Sequence, residues 1–99
     1  MTLPKVSVVT VCYNCDKLLQ KTITNVLRQT YKNLEYIIID GASTDSTAEV
    51  IETFRPHLTT VVSEPDRGIY DAMNKGVRLA TGEWVIFMNA GDGFAADDV

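Results

Sequence analysis

The sequence predicts an α/β fold in which four parallel strands alternate with three helices. Four short apolar runs, rich in β-branched residues, alternate with three longer segments whose apolar residues recur at helical spacing. The links between these segments are short. Strands that are almost continuously apolar are typical of parallel sheets with helices on both faces, so we expect such a sheet with right-handed crossovers.

The four predicted strands are apolar runs bounded by polar or turn-forming residues. Acidic side chains are expected to collect at one edge of the sheet and to be absent from its interior. The strands are residues 5–12 (KVSVVTVC), 34–39 (LEYIII), 58–62 (LTTVV) and 83–88 (EWVIFM).

The three predicted helices are residues 16–27, 48–54 and 68–80. Asp16 is the candidate N-cap of the first helix, the second ends before Pro56, and Gly82 stops the third. Gly76 lies inside the third helix, where a glycine costs up to about 1 kcal/mol relative to alanine. Its presence indicates close packing of the helix against the sheet, or close approach of a ligand to the backbone.

Length and composition indicate one domain, residues 1–99. The net charge of −4 argues against a nucleic-acid partner, which usually requires a basic surface. The apolar runs are too short to span a membrane, and the N-terminus lacks the pattern of a secretion signal. We therefore expect a cytoplasmic protein, and for the complete protein also a location at the inner face of the membrane. Because no capping segment follows residues 97–99, we expect the chain to be a fragment of a longer protein.

Polar residues and glycines follow every predicted strand. In parallel sheets, ligands bind beyond the carboxyl ends of the strands, near the point where the strand order reverses. This edge is therefore the expected binding site. The segments are residues 13–14 (YN), 40–45 (DGASTD), 64–68 (EPDRG) and 89–92 (NAGD).

Two aspartates at this edge have both a binding and a structural interpretation. The Asp40 carboxylate could accept ring or amino protons of a nucleotide base, or it could cap the following turn. Asp45 is the better candidate for capping the second helix. Asp66 and Arg67 precede the third helix, whose positive end and neighbouring guanidinium could bind phosphate. The alternative is that Asp66 caps this helix and that Arg67 is solvated.

Asp92 is the candidate metal ligand. It ends the Asn89-Ala90-Gly91-Asp92 turn, and Mg²⁺ or Mn²⁺ commonly binds one or two carboxylates together with substrate phosphates. Gly91 would let a diphosphate approach the backbone closely. The alternative interpretation is an ordinary turn aspartate.

Cys12 and Cys15 form a C-x-x-C motif at a strand-to-helix junction, which is also the position of a thioredoxin-like redox pair. A redox domain is therefore an alternative function. Zinc binding is disfavoured, because two cysteines and His57 leave the usual four ligands incomplete. The chain has no glycine-rich dinucleotide fingerprint and no Walker lysine motif, which argues against nicotinamide dehydrogenases and P-loop enzymes.

Four segments together resemble the family 2 glycosyltransferases, which have the GT-A fold. They cover nearly the whole chain in the family's order, and the third is similar to bacterial enzymes that build surface polysaccharides. The segments are VSVVTVCYN, IIIDGASTDST, SEPDRGIYDAMNKGVRLATGEW and VIFMNAGD. The resemblance implies a Rossmann-like half-domain that binds a nucleotide-sugar.

The resemblance also implies roles for matching positions. Val11 and Tyr13 would lie by the base, Asp40 would bind it, and Asp66 and Gly68 would line the donor pocket. Residues 89–92 match the family's D-x-D metal site, so that Asn89, Gly91 and Asp92 would contact the donor, with the Mn²⁺ or Mg²⁺ on Asp92. The family often has two or three carboxylates there, whereas this chain has Asp92 alone.

For the complete protein, the resemblance implies metal-dependent, inverting transfer of a sugar from a nucleoside-diphosphate sugar, with a UDP-sugar favoured. The acceptor would be a saccharide or a lipid-linked hydroxyl. The general base would lie beyond Val99, so residues 1–99 alone are expected to be inactive. A non-catalytic nucleotide-binding module is the remaining alternative. An uncovered sheet edge after the fourth strand would favour pairing between chains.

Overall fold

The computed structural model describes residues 4–29 and 31–89. Within these ranges, the predicted alternation of strands and helices is confirmed, and no helix has the length and apolarity needed to cross a bilayer. The elements are β1 (Val6–Cys12), α1 (Asp16–Leu27), β2 (Leu34–Asp40), α2 (Thr47–Phe54), a 3₁₀ turn (Arg55–His57), β3 (Thr60–Ser63), α3 (Ile69–Leu79) and β4 (Trp84–Phe87).

The strands form one parallel sheet in the order β3-β2-β1-β4. The register places Val9 of β1 beside Ile37 of β2 on one side and Phe87 of β4 on the other. The chain runs from β1 outward to β2 and β3 and then returns to the opposite side of β1. The strand order therefore reverses between β1 and β4, and this is where such sheets bind ligands.

Alternating side chains of the central strands form two apolar layers. On one face, Val8 and Ile38 pack in a cluster with Leu19 and Ile23 of α1 and Ile51 of α2. The other face packs against α3 through a cluster that contains Val9, Val11, Ile37, Ile39 and Ala72. Burial of a large aliphatic side chain contributes about 1.5–3 kcal/mol, so the fully buried run of isoleucines in β2 fixes the centre of the fold.

Gly76 lets α3 lie directly on β1. A Cβ at this position would come within 2.3 Å of Cγ1 of Val9, which no relaxed structure tolerates. The close-packing interpretation of the helix-interior glycine is thus the one that the structure supports.

The range predicted for the first helix is confirmed, but its predicted N-cap was wrong, the third strand begins two residues later than predicted, and several other element ends differ by one residue. Cys15 is the N-cap of α1, and Asp16 is its first residue, whose carboxylate accepts a hydrogen bond of 2.7 Å from the Lys17 backbone N–H. β3 begins at Thr60, because the chain after α2 continues into a 3₁₀ turn that places Pro56 where its fixed φ fits.

The expectation that every strand is covered on both faces is wrong for β4. Its exposed fractions are 65% for Trp84, 37% for Val85 and 38% for Ile86. The physical reason is position: α3 packs mainly on β1 and β2, and α1 and α2 pack on the other face of the central strands, so the described helices cover the centre of the sheet better than this edge strand.

The expectation that the sheet interior carries no carboxylate was also wrong. Glu35 in β2 is only 5% exposed, and it accepts hydrogen bonds from the Ser7 hydroxyl at 2.6 Å and the Thr81 backbone N–H at 2.8 Å. The Lys5 ammonium lies 3.7 Å away. Burial alone would raise the pKa of Glu35, but the hydrogen bonds from Ser7 and Thr81 and the charge of Lys5 outweigh burial and lower it.

Candidate functional site

A pocket of about 310 Å³ opens where the strand order reverses. The structure describes six of the eight residues predicted to bind the donor, and five of these line the pocket, namely Val11, Tyr13, Asp66, Gly68 and Asn89. The end of β1, the start of α3 and the second residue after β4 come together here, as the strand-end argument predicts.

Among the described residues, four more line the pocket that were not predicted to bind the donor: Cys12, Cys15, Ile69 and Ala72. Ile69 and Ala72 lie three positions apart at the start of α3, so they share one helix face. That spacing, directly after the Asp66-Arg67-Gly68 segment, is the sequence signal that could have found them. Together with Val11 they give the pocket an apolar wall.

Asp66 is half-buried at the pocket wall and is held by its own loop. Its Oδ1 accepts a hydrogen bond of 3.1 Å from the Gly68 backbone N–H. Gly68 has a φ of 118°, a conformation that favours glycine, and it is the N-cap of α3. A carboxylate has about four acceptor positions, so Asp66 keeps capacity for a ligand hydroxyl or N–H.

The segment before α3 is anchored from the helix side. The Asp71 carboxylate accepts a hydrogen bond of 2.9 Å from the Arg67 backbone N–H. The Lys75 ammonium lies 3.2 Å from Glu64 Oε1 and donates a hydrogen bond of 3.0 Å to the Pro65 carbonyl. These contacts fix the backbone around Asp66 while the Arg67 residue stays exposed.

Asp40 ends β2 but does not line the pocket. It is 1% exposed, and its carboxylate accepts hydrogen bonds from the Ser43 hydroxyl and, at 2.8 Å, from the Ser63 hydroxyl. The Ser43 backbone N–H also points to it at 3.3 Å, which is the turn-capping contact. A direct contact with a base would require Asp40 to exchange one of these bonds, and its base-binding role stays a prediction.

Cys12 lacks the environment of a redox-active thiol. Both are free thiols, and Cys12 is buried. Burial, followed by the charge of Asp40 and the hydrogen bond to it at 3.8 Å, strongly raises the pKa of Cys12. Reactive cysteines have a lowered pKa, so the thiolate that redox exchange requires is disfavoured here.

The predicted metal ligand Asp92 and its neighbour Gly91 lie outside the described residues. Asn89 is the one residue of the predicted turn that the structure describes, and it borders the pocket. In the part of the chain that is described, no three His, Cys, Asp or Glu side chains gather in a way that could hold a metal ion.

Known proteins similar to this chain are glycosyltransferases. A PGL/p-HBAD biosynthesis glycosyltransferase of Mycobacterium bovis is 37% identical over 95 residues, which are 93% of this chain and 37% of that protein. The chain thus spans little more than a third of the length of such relatives.

Two solved structures have the same fold. A mannosyltransferase from Pyrobaculum calidifontis, PcManGT, in complex with GDP-Man and Mn²⁺, has a TM-score of 0.87 and 33% identity, covering 95% of this chain and 29% of that one. S. aureus TarS 1–349 in complex with UDP-GlcNAc has a TM-score of 0.78 and 25% identity, covering 88% of this chain and 26% of that one.

The sequence profile of Glycosyl transferase family 2 matches residues 7–99, which is nearly the whole chain. The parallel sheet, its reversal point and the pocket there agree with the GT-A fold of the structural relatives. This chain is therefore a glycosyltransferase domain that belongs to Glycosyl transferase family 2.

Proposed function

We propose that the complete protein transfers a sugar from a nucleoside-diphosphate sugar to an acceptor hydroxyl, with inversion and with a divalent cation. The observation that carries this proposal is the pocket of about 310 Å³ at the reversal point of the sheet, lined by residues that the strand-end pattern singles out. Ligand pockets lie preferentially at such points. The complexes of PcManGT with GDP-Man and of TarS with UDP-GlcNAc support a nucleotide-sugar as the ligand.

The pocket residues divide into apolar and polar groups. Val11, Ile69 and Ala72 form an apolar wall, and the exposed Tyr13 ring provides a flat surface for a base. Asp66 is the hydrogen-bond acceptor for a donor hydroxyl or N–H. Gly68, without a side chain, allows the diphosphate to approach the start of α3.

The proposed cation is Mn²⁺ or Mg²⁺, with Asp92 as its protein ligand. Hard cations of this kind commonly bind one or two carboxylates and complete their coordination with substrate phosphates and water. The presence of Mn²⁺ in the PcManGT complex supports this choice. When bound, the cation would neutralise charge that develops on the departing diphosphate.

In the proposed reaction, the acceptor oxygen attacks the anomeric carbon as the bond from that carbon to the diphosphate breaks. The acceptor proton passes to a carboxylate base that we place beyond residue 99. The residues of this chain bind and orient the donor, so their contribution is positional. A UDP-sugar is the favoured donor, and the acceptor is a saccharide or a lipid-linked hydroxyl.

Calorimetric titration of the complete protein with UDP and with GDP, each with Mn²⁺, tests this proposal. We expect one of them to bind, and Asp66→Asn to weaken binding about tenfold or more, because a hydrogen bond to a charged group is worth roughly 1.5–3 kcal/mol. Asp92→Ala should remove the dependence on Mn²⁺. Glu49→Gln, which changes an exposed carboxylate on α2, is the matched control.

Negligible heats for the wild type and the variants alike would exclude the donor site. Tight nucleotide binding without sugar transfer to any saccharide or lipid acceptor would instead identify a non-catalytic nucleotide-binding module.

A further inference from the structure

Asn14 adopts an unusual backbone conformation directly beside the pocket. Its φ is 49°, in the left-handed region that non-glycine residues rarely occupy, although asparagine tolerates it better than most. The residue lies between Tyr13, which lines the pocket, and Cys15, the N-cap of α1. Such a conformation persists only when neighbouring contacts determine it.

Two hydrogen bonds connect Asn14 to the loop that follows β2. Its backbone N–H donates to the Ser43 hydroxyl at 2.8 Å, and its side-chain Oδ1 accepts from the Thr44 backbone N–H at 2.7 Å. The main chain and the side chain of Asn14 are therefore both fixed to the same neighbouring loop.

That neighbouring loop is itself anchored in the core. The Ser43 hydroxyl accepts from Asn14 and donates its own proton to the buried carboxylate of Asp40. Asp40 also accepts from the Ser63 hydroxyl at the end of β3 at 2.8 Å. The left-handed turn is thus connected through Asp40 to the carboxyl ends of β2 and β3.

The side chain of Tyr13 depends on this turn for its direction. The residue is 59% exposed, so packing restrains its ring only weakly. The Tyr13 carbonyl accepts a hydrogen bond of 3.0 Å from the Cys15 thiol, and this contact lies within the same turn. The backbone conformation at residues 13–15 therefore decides where the ring points.

We propose that Asn14 is a positioning residue of the donor site: its left-handed turn, fixed to Ser43 and Thr44, directs the Tyr13 ring to the pocket. This inference rests on the proposed function, because it requires Tyr13 to contact the nucleotide. Asn14 itself does not line the pocket and acts through its neighbour.

A double-mutant cycle in the complete protein tests the proposal. The probe is UDP or GDP with Mn²⁺, whichever binds the wild type, and the readouts are the Kd from calorimetry and the melting temperature. Asn14→Ala removes the acceptor for Thr44 and disfavours the left-handed turn, so we expect binding about tenfold weaker. Asn14→Asp keeps both the acceptor and the tolerance for this conformation, and should restore most of the affinity. Asn74→Ala, at an exposed position of α3 that does not line the pocket, is the matched control.

The cycle is completed in a Tyr13→Ala background. If Asn14 acts through Tyr13, Asn14→Ala should change the Kd there by less than about twofold, although it lowers the melting temperature equally in both backgrounds. A merely structural role would weaken binding by the same factor with and without the tyrosine, and that result would overturn the proposal. Wild-type affinity in Asn14→Ala would also overturn it while leaving the donor site intact. Failure of the wild type to bind either nucleotide would instead remove the proposed function on which the inference rests.

Discussion

The position of the Asp66 carboxylate depends on the absence of a side chain at Gly41. A Cβ at Gly41 would lie 2.8 Å from Asp66 Oδ2. The atom that it meets is the end of a flexible side chain, so the carboxylate can move away at little cost. Gly41 therefore matters more for the geometry of the pocket than for the stability of the fold.

We expect Gly41→Ala to weaken nucleotide binding several-fold while lowering the free energy of unfolding by less than about 1 kcal/mol, because the atoms that the new Cβ meets belong to a flexible side chain. Gly76→Ala is the informative contrast, because its Cβ would meet the buried Val9 side chain at 2.3 Å. Overpacking of this kind costs roughly 1–3 kcal/mol. Calorimetry measures the nucleotide affinity of each variant and urea unfolding measures its stability, so an effect on binding is separated from an effect on folding. Unchanged nucleotide affinity in Gly41→Ala would show that the missing side chain at Gly41 does not set the position of the Asp66 carboxylate for donor binding.

The sequence predicts the position of some site residues in the fold but not of others. Tyr13 and Asp66 could be placed at the pocket because they follow strands, and the carboxyl ends of parallel strands share one edge. Val11 was placed there only by the resemblance to the family. The strand-end argument brought Asp40 to the correct edge but not to the pocket lining. The conformation of the loops decides which hydroxyl groups donate hydrogen bonds to the Asp40 carboxylate. One of these donors, Ser63, lies more than twenty positions away, so no local sequence pattern indicates the contact.

At the scale of elements, Glu35 joins three segments at the end of the sheet opposite the pocket. It connects β2 to Ser7 of β1 and to Thr81 in the link between α3 and β4. Its carboxylate is buried and accepts several hydrogen bonds, so its charged form contributes to stability. The sequence did not indicate this role, because a glutamate within an apolar run is more often directed to solvent.

This network makes the stability of the fold depend on pH. The pKa of Glu35 in the folded chain is lowered, so its contribution is fully present above the ordinary glutamate pKa of about 4.3 and is lost as the pH falls through the lowered value. We expect Glu35→Gln to be about 1–3 kcal/mol less stable near neutral pH, because an NH₂ group replaces one of the two acceptor oxygens and then faces hydrogen-bond donors. The difference from the wild type should shrink in urea unfolding at progressively lower pH, while Glu49→Gln should show no such trend. A difference that stays constant down to acidic pH would mean that the charge of Glu35 does not contribute.

At the scale of the whole molecule, the two edges of the sheet are unequal. β3 is half-buried for most of its length, whereas β4 exposes Trp84, Val85 and Ile86. The order of elements along the chain predicted the parallel sheet and its reversal, because short crossovers allow few topologies. The sequence could not show that the side chains of β4 are exposed, because an apolar run is expected equally in a strand that another element covers.

An exposed apolar edge strand is a template for pairing with another chain, and edges are commonly protected by charged side chains such as lysine. We therefore expect the 99-residue chain to self-associate through β4, with sedimentation velocity showing a larger species that grows with concentration. Trp84→Lys should abolish this species, because a charge at the most exposed position of the edge opposes burial against a second copy. Val77→Lys, which places the same charge at an apolar position of α3 that is 49% exposed, should leave it unchanged. Equal sedimentation of the wild type and Trp84→Lys, or an equal loss of the larger species in Val77→Lys, would show that β4 is not the contact.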